Sequence, residues 1–147
     1  MFVQHVVHLS HPVHQVSEAL MEGPQRWFPG LKNKKIASVG LHVAGVPVRK
    51  RVQVEIGDAV KTTTWAVVPL TWKATGPEGL FPKMTGKIEV APSGKDETRL
   101  TVSGMYEPPL GRVGEQLDDA VMHNIAEGTV RELAEQIAAR LESAVGS

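Results

Sequence analysis

The chain has 147 residues, sixteen Lys and Arg balanced by sixteen Asp and Glu, 41% hydrophobic residues and no cysteine. That length suits a single domain, residues 1–147, which buries roughly 68–70% of its unfolded surface and needs no staples. Neutrality argues against nucleic-acid binding driven by phosphate neutralisation, and the missing cysteines exclude disulfides, thiolate metal sites and cysteine nucleophiles.

Residues 2–10 read as a strand, with Val3, Val7 and Leu9 on the more apolar face and His5 among them. Met1 to Ser10 carries the polar residues Gln4, His5 and His8, and no basic segment leads into an apolar one. No secretory signal is therefore expected, and a cytoplasmic protein is. Ser10-His11-Pro12 starts a helix, with proline at the first helical position, where its missing N–H costs nothing. Val13, Val16, Leu20 and Met21 fall at helical spacing, and Gly23-Pro24 ends the segment. A second short helical piece carries Gln25, Arg26, Trp27 and Phe28, and Pro29-Gly30 closes it.

From residue 35 to residue 106 the pattern is β. Lys35–Val43 is one strand and Ala44-Gly45 a turn. In residues 46–56, Val46, Val48, Val52, Val54 and Ile56 share one face and Arg49, Arg51, Gln53 and Glu55 the other. This predicts a half-buried antiparallel strand, with Lys50 the lone charge on the apolar face. Val60–Thr75 reads as one long strand or two collinear ones, with Pro69 marking an edge position or a bulge. Lys83–Ala91 and Thr98–Tyr106 alternate again, around a turn at 92–97.

Pro108-Pro109 stops the sheet. Residues 111–144 contain no proline and are rich in Ala, Glu, Leu and Arg, so they predict one long helix. Val113, Leu117, Val121, Ile125, Thr129, Leu133, Ile137 and Leu141 form an every-fourth series. A period of four drifts about 40° per step around an α-helix, so the stripe winds. A flat sheet cannot receive it, whereas a curved sheet wrapped around the helix can. Gly128 within this helix allows a bend or the close approach of something bulky. No run reaches the ~18–20 apolar residues that span a bilayer. Strands in a run followed by a helix give an α+β fold.

Three strings in this order carry a resemblance: Trp27-Phe28-Pro29-Gly30-Leu31; Pro69-Leu70-Thr71-Trp72-Lys73-Ala74-Thr75 with Gly79-Leu80-Phe81-Pro82; and Gly104-Met105-Tyr106-Glu107-Pro108-Pro109-Leu110-Gly111. Over nearly its whole length the chain resembles the START-like, polyketide cyclase/dehydrase superfamily. The resemblance implies a helix-grip fold: a curved antiparallel sheet of six or seven strands around a long C-terminal helix, with two short helices after the first strand. It implies a deep cavity between sheet and helix, used by members for lipids, polyketides or other apolar molecules. No universal catalytic residue transfers with it, and one fold hosts many chemistries.

The expected lining is Trp27, Phe28, Trp72, Phe81, Met84 and Tyr106, with Leu117, Val121 and Ile125 from the helix. Large apolar side chains with a few polar groups are what an apolar ligand needs, although the same residues also make a plain core. Trp27, Phe28 and Phe81 sit between proline and glycine, which suggests the mouth of a cavity. Lys50 either meets a ligand anion or snorkels to water. His5 is a general-base candidate or a satisfied rim histidine, and Tyr106 a donor to a ligand carbonyl or to backbone. His123 lies away from Val121 and Ile125 and is expected in solvent. His5, His8, His11 and His14 recur every third residue, but a strand sends such neighbours to opposite faces, so no metal site is expected. Arg49, Arg51, Lys61 and Lys73 make a modest basic patch on the outer face. No glycine loop of phosphate-binding spacing opens a helix, and no cofactor is expected.

Three functions follow from these readings. The first is binding of a hydrophobic or amphipathic small molecule between sheet and helix, by a monomer or homodimer. The second is a cyclase/dehydratase-type enzyme, for which Lys50, His5 and Tyr106 are the titratable groups available. The third is an interaction module with a closed core and an apolar outer patch, hinted at by Trp65.

Overall fold

The structure is a computed structural model that describes residues 2–29, 31, 36–43, 46–62, 64–74, 83–107 and 119–146, with 36–43, 46–51, 74, 107, 119–122 and 146 described through the backbone alone. In chain order the elements are β1 (Phe2–Leu9), α1 (Val13–Met21), α2 (Pro24–Trp27), β2 (Ile36–Val43), β3 (Val46–Ile56), β4 (Val60–Lys61), β5 (Ala66–Ala74), β6 (Lys83–Gly94), β7 (Glu97–Glu107) and the C-terminal helix α3 (Asp119–Gly146). All strands belong to one antiparallel sheet in the order β1-β7-β6-β5-β3-β2, with β4 paired to β5 beside that path. This is an α+β helix-grip architecture.

Pro12 does not occupy the first turn of α1. It is the N-cap, extended at ψ 148°, and its carbonyl accepts from the amides of Gln15 and Val16. Val16, Ala19 and Leu20 then face the core. The turn into α2 uses Gly23 at φ +117°, a backbone angle that favours glycine. Pro24 does take the first turn of its helix, as its fixed φ and missing donor allow.

Residues 60–74 are not collinear. Val60–Lys61 and Ala66–Ala74 pair antiparallel through Val60↔Val67 and Lys61↔Ala66. The Thr62 hydroxyl accepts from the Thr64 and Trp65 amides in the intervening turn. Trp65 is therefore a turn residue, exposed, while Trp72 is buried. Pro69 causes no bulge, since the β5–β6 register runs unbroken from Ala66↔Val90 to Trp72↔Met84. The β3 pairing ends at Ile56↔Leu70 and the β4 pairing begins at Val60↔Val67, so Pro69 falls between them. A residue without an N–H suits that gap, and its carbonyl still accepts from the Gly57 amide at 2.8 Å. The register irregularity lies instead at Pro92/Gly94, at the end of β6.

Along α3 the described members of the every-fourth series, Ile125, Thr129, Leu133, Ile137 and Leu141, are all buried. Their successors Ala126, Val130, Ala134 and Ala138 are buried as well. The contact stripe is thus two residues wide and turns by about 160° over these four steps. The helix packs on β1 and β7 towards one edge of the sheet, on β2 at the other, and on α1 and α2. A sheet whose opposite edges meet one helix must curl around it. Gly86 and Gly104, directly paired on β6 and β7, permit the close approach of these strands. A β-carbon on Gly86 would lie 2.0 Å from the Ser103 carbonyl oxygen, and one on Gly104 2.8 Å from Met84 Sδ. Gly128 shows no such role among the described residues, where its β-carbon would meet nothing nearer than the Arg131 guanidinium at 3.8 Å.

Candidate functional site

The strand alternation sends one set of side chains into the concave face of the curled sheet. In it Val54, Trp72, Met84 and Tyr106 stand on consecutive register partners across β3, β5, β6 and β7. All four are buried. Strands lie about 4.8 Å apart, so the Trp72 and Tyr106 backbones are roughly 10 Å apart with Met84 between them.

Two polar groups in this row behave differently. Trp72 is 2% exposed, and its indole Nε1 has no hydrogen-bond partner among the described residues. Leaving a buried donor unpaired costs about 1–3 kcal/mol. Tyr106 is 3% exposed, and its hydroxyl lies 3.3 Å from Nδ1 of His123 on α3. The rings are tilted at 49°, with centroids 6.1 Å apart. His123 Nε2 is in turn 3.3 Å from a Glu127 carboxylate oxygen, one helical turn further along. One tautomer makes these distances a continuous chain, with the phenol donating to Nδ1 and an Nε2 proton facing the carboxylate. The expectation that His123 points freely into solvent is therefore corrected. Its side chain is 40% exposed, yet the ring reaches the buried phenol. Its spacing from Val121 and Ile125 could not show this, because its partner is on the sheet.

Ile125, beside this chain on α3, is buried. Trp27 and Phe28 are each 1% exposed. Trp27 donates its indole N–H to the Leu20 carbonyl at 2.8 Å. A helical partner for that carbonyl would be the amide of residue 24, which is a proline and has no N–H. Trp27 thus closes the end of α1, and also borders an open cleft of about 440 Å³ with Leu20, Pro24, Ile56 and Val68. Lys50 pairs with Val39 through the backbone of β3. The side chains of Lys50 and Val121, and the whole of Phe81 and Leu117, lie outside the described residues.

His5 is half-buried on the helix-facing side of β1, with Nε2 3.7 Å from a Glu135 oxygen of α3. It bridges strand to helix at the rim. His8 is paired outside, 3.1 Å from Glu97. Among the described residues no group of three or more His, Asp or Glu is placed to hold a metal ion. Lys61 and Lys73 are exposed, and the side chains of Arg49 and Arg51 lie outside the described residues. The convex face carries an open depression of about 460 Å³ that includes the exposed Phe2, Val60 and Met105. No described helix is long and apolar enough to cross a membrane.

Residues 3–142 match the family described as polyketide cyclase / dehydrase and lipid transport. The chain belongs to that family. Its fold is similar to that of a conserved protein from Geobacillus kaustophilus, at 17% identity and a TM-score of 0.59 over 99% of this chain and 95% of the other. It is similar as well to the ZhuI aromatase/cyclase from Streptomyces sp. R1128, at 17% identity and 0.55 over 99% and 93%. A START superfamily protein from Mycobacterium smegmatis matches at 16% identity and 0.51 over 99% and 97%. Likeness at this identity establishes the START-like fold and leaves the ligand to the site itself. No curated protein matches the sequence significantly.

Proposed function

We propose that the protein binds a hydrophobic or amphipathic small molecule, lipid- or polyketide-like, between the concave face of the sheet and α3. The single observation that carries this reading is the Trp72 indole, a buried donor with no partner among the described residues, set in an apolar row. A ligand oxygen accepting from Nε1 would recover the roughly 1–3 kcal/mol that the unpaired donor costs. Apolar contact with Trp72, Met84 and Ile125 would add about 25 cal/mol per Å² buried, before ordering costs. Lys50, Phe81, Leu117 and Val121 belong to the proposed lining through the sequence alone. The family description, which names both polyketide chemistry and lipid transport, supports the same class of ligand.

A second reading, an enzyme of cyclase/dehydratase type, is favoured by one feature: the Tyr106 hydroxyl joined to His123 and Glu127. The test common to both readings is native mass spectrometry of protein purified from its own host, with identification of whatever denaturation releases. A bound apolar molecule, lost in Trp72→Ala, is the expected result. A clean unliganded mass, with no thermal shift against fatty acids, sterols and aromatic polyketides, would refute the binding reading.

A further inference from the structure

Exposure rises stepwise along the Tyr106–His123–Glu127 chain. The phenol is 3% exposed, the imidazole 40% and the carboxylate 53%. A carboxylate paired with histidine one helical turn away on a surface needs no buried tyrosine. A tyrosine hydroxyl needing only a hydrogen bond does not require an imidazole backed by a carboxylate. Together the three connect a buried hydroxyl to bulk water through groups that each both accept and release a proton. We infer that Tyr106, His123 and Glu127 are a proton relay, with the Tyr106 hydroxyl exchanging protons with the bound molecule. This rests on the proposed binding of a small molecule at the same site.

The step balances as follows. An acidic C–H of the ligand, between two carbonyls, gives its proton to Tyr106 Oη. The phenol's own proton passes to His123 Nδ1, and the Nε2 proton passes to Glu127 and on to water. The C–H bond breaks and its electron pair becomes an enolate; Tyr106 ends protonated as it began, whereas His123 ends with its proton on Nδ1 and regains the starting tautomer by exchanging ring protons with water at its 40% exposed imidazole. The Trp72 indole N–H, in the same register row, is a donor for the enolate oxygen. Tyr106 is then the catalytic residue, and His123 and Glu127 act through it.

The experiment uses 1-phenylbutane-1,3-dione as probe. Binding is measured by equilibrium dialysis, and exchange of its C2 proton in D₂O by NMR. Wild-type protein is expected to speed exchange over buffer. Tyr106→Phe and His123→Ala should each lose about 10²-fold, the lower end for general acid–base catalysis, without losing binding. Added imidazole should restore part of the rate to His123→Ala alone, and Glu127→Gln should fall between. His8→Gln, on the outer face, should match wild type. Undiminished exchange in Tyr106→Phe or His123→Ala, with binding retained, overturns the relay and leaves the binding reading standing. A probe that fails to bind counts against the binding reading for this class, and a ligand-free measurement then decides the relay. Tyr106 is the only tyrosine, so tyrosine labelled with carbon-13 at Cζ gives one resonance. That resonance should move in His123→Ala and in Glu127→Gln. Indifference to both substitutions overturns the relay whatever the probe does.

Discussion

Trp27→Phe and Trp72→Phe remove the same atoms from two equally buried indoles, and the structure assigns them opposite consequences. Each loses a ring edge, about 1 kcal/mol at ~24 cal/mol per Å³ of cavity. In Trp27→Phe the Leu20 carbonyl also loses the indole donor, and residue 24, its helical partner, is a proline with no N–H to replace it. A buried acceptor left unpaired adds about 1–3 kcal/mol, so the total destabilisation is about 2–4 kcal/mol. In Trp72→Phe the group removed has no described partner. Deleting a buried unpaired donor returns about 1–3 kcal/mol, which offsets the ring edge, so the unliganded variant should be as stable as wild type or slightly more so. Denaturant titration followed by far-UV circular dichroism, with unchanged slope, measures both. Equal losses in the two variants would refute the reasoning, because Trp72 would then hold a hydrogen bond that matters to the fold. Trp72→Phe should also weaken a ligand that accepts from Nε1 while leaving stability intact, a combination Trp27→Phe cannot give.

Gly86→Ala would set a β-carbon against the backbone oxygen of a paired strand, so a loss at or beyond the upper end of about 1–3 kcal/mol is expected in thermal unfolding. A variant with wild-type stability would contradict the close approach of β6 and β7. Gly128→Ala meets no described atom nearer than 3.8 Å and should gain about 0.5–1 kcal/mol by improving helix propensity in α3. A loss there would mean that something packs against the glycine. Thr98→Val removes the buried hydroxyl that donates to the His11 carbonyl at 2.7 Å and ties β7 to the start of α1. It should cost about 1 kcal/mol by chemical denaturation, and no change would show that the tie is idle.

Local regularity made much of this protein legible. Alternation in residues 46–56 gave a strand whose described inward positions are buried at Val52 and Val54 and half-buried at Ile56. The every-fourth series in the C-terminal helix predicted a winding contact, and its described members, with their neighbours, are buried against a sheet whose two edges both reach the helix. The turn at residues 62–65 was less legible. The valines and threonines there read as continuous strand, and the hydroxyl-capped turn that separates β4 from β5 depends on one side chain, Thr62.

The roles of individual polar atoms were not in the sequence at all. Trp27 and Trp72 look alike as apolar residues in aromatic strings, and composition cannot say that one indole ends a helix and the other has no partner among the described residues. His123 looks solvated from its helical position, and it becomes part of a site only because the curled sheet brings Tyr106 within 3.3 Å of its ring. Strand and helix periodicity is set by steric rules within a few residues, so it survives in the sequence. A hydrogen bond across the sheet–helix gap depends on sheet curvature, strand register and helix rotation together, and only the assembled structure fixes all three.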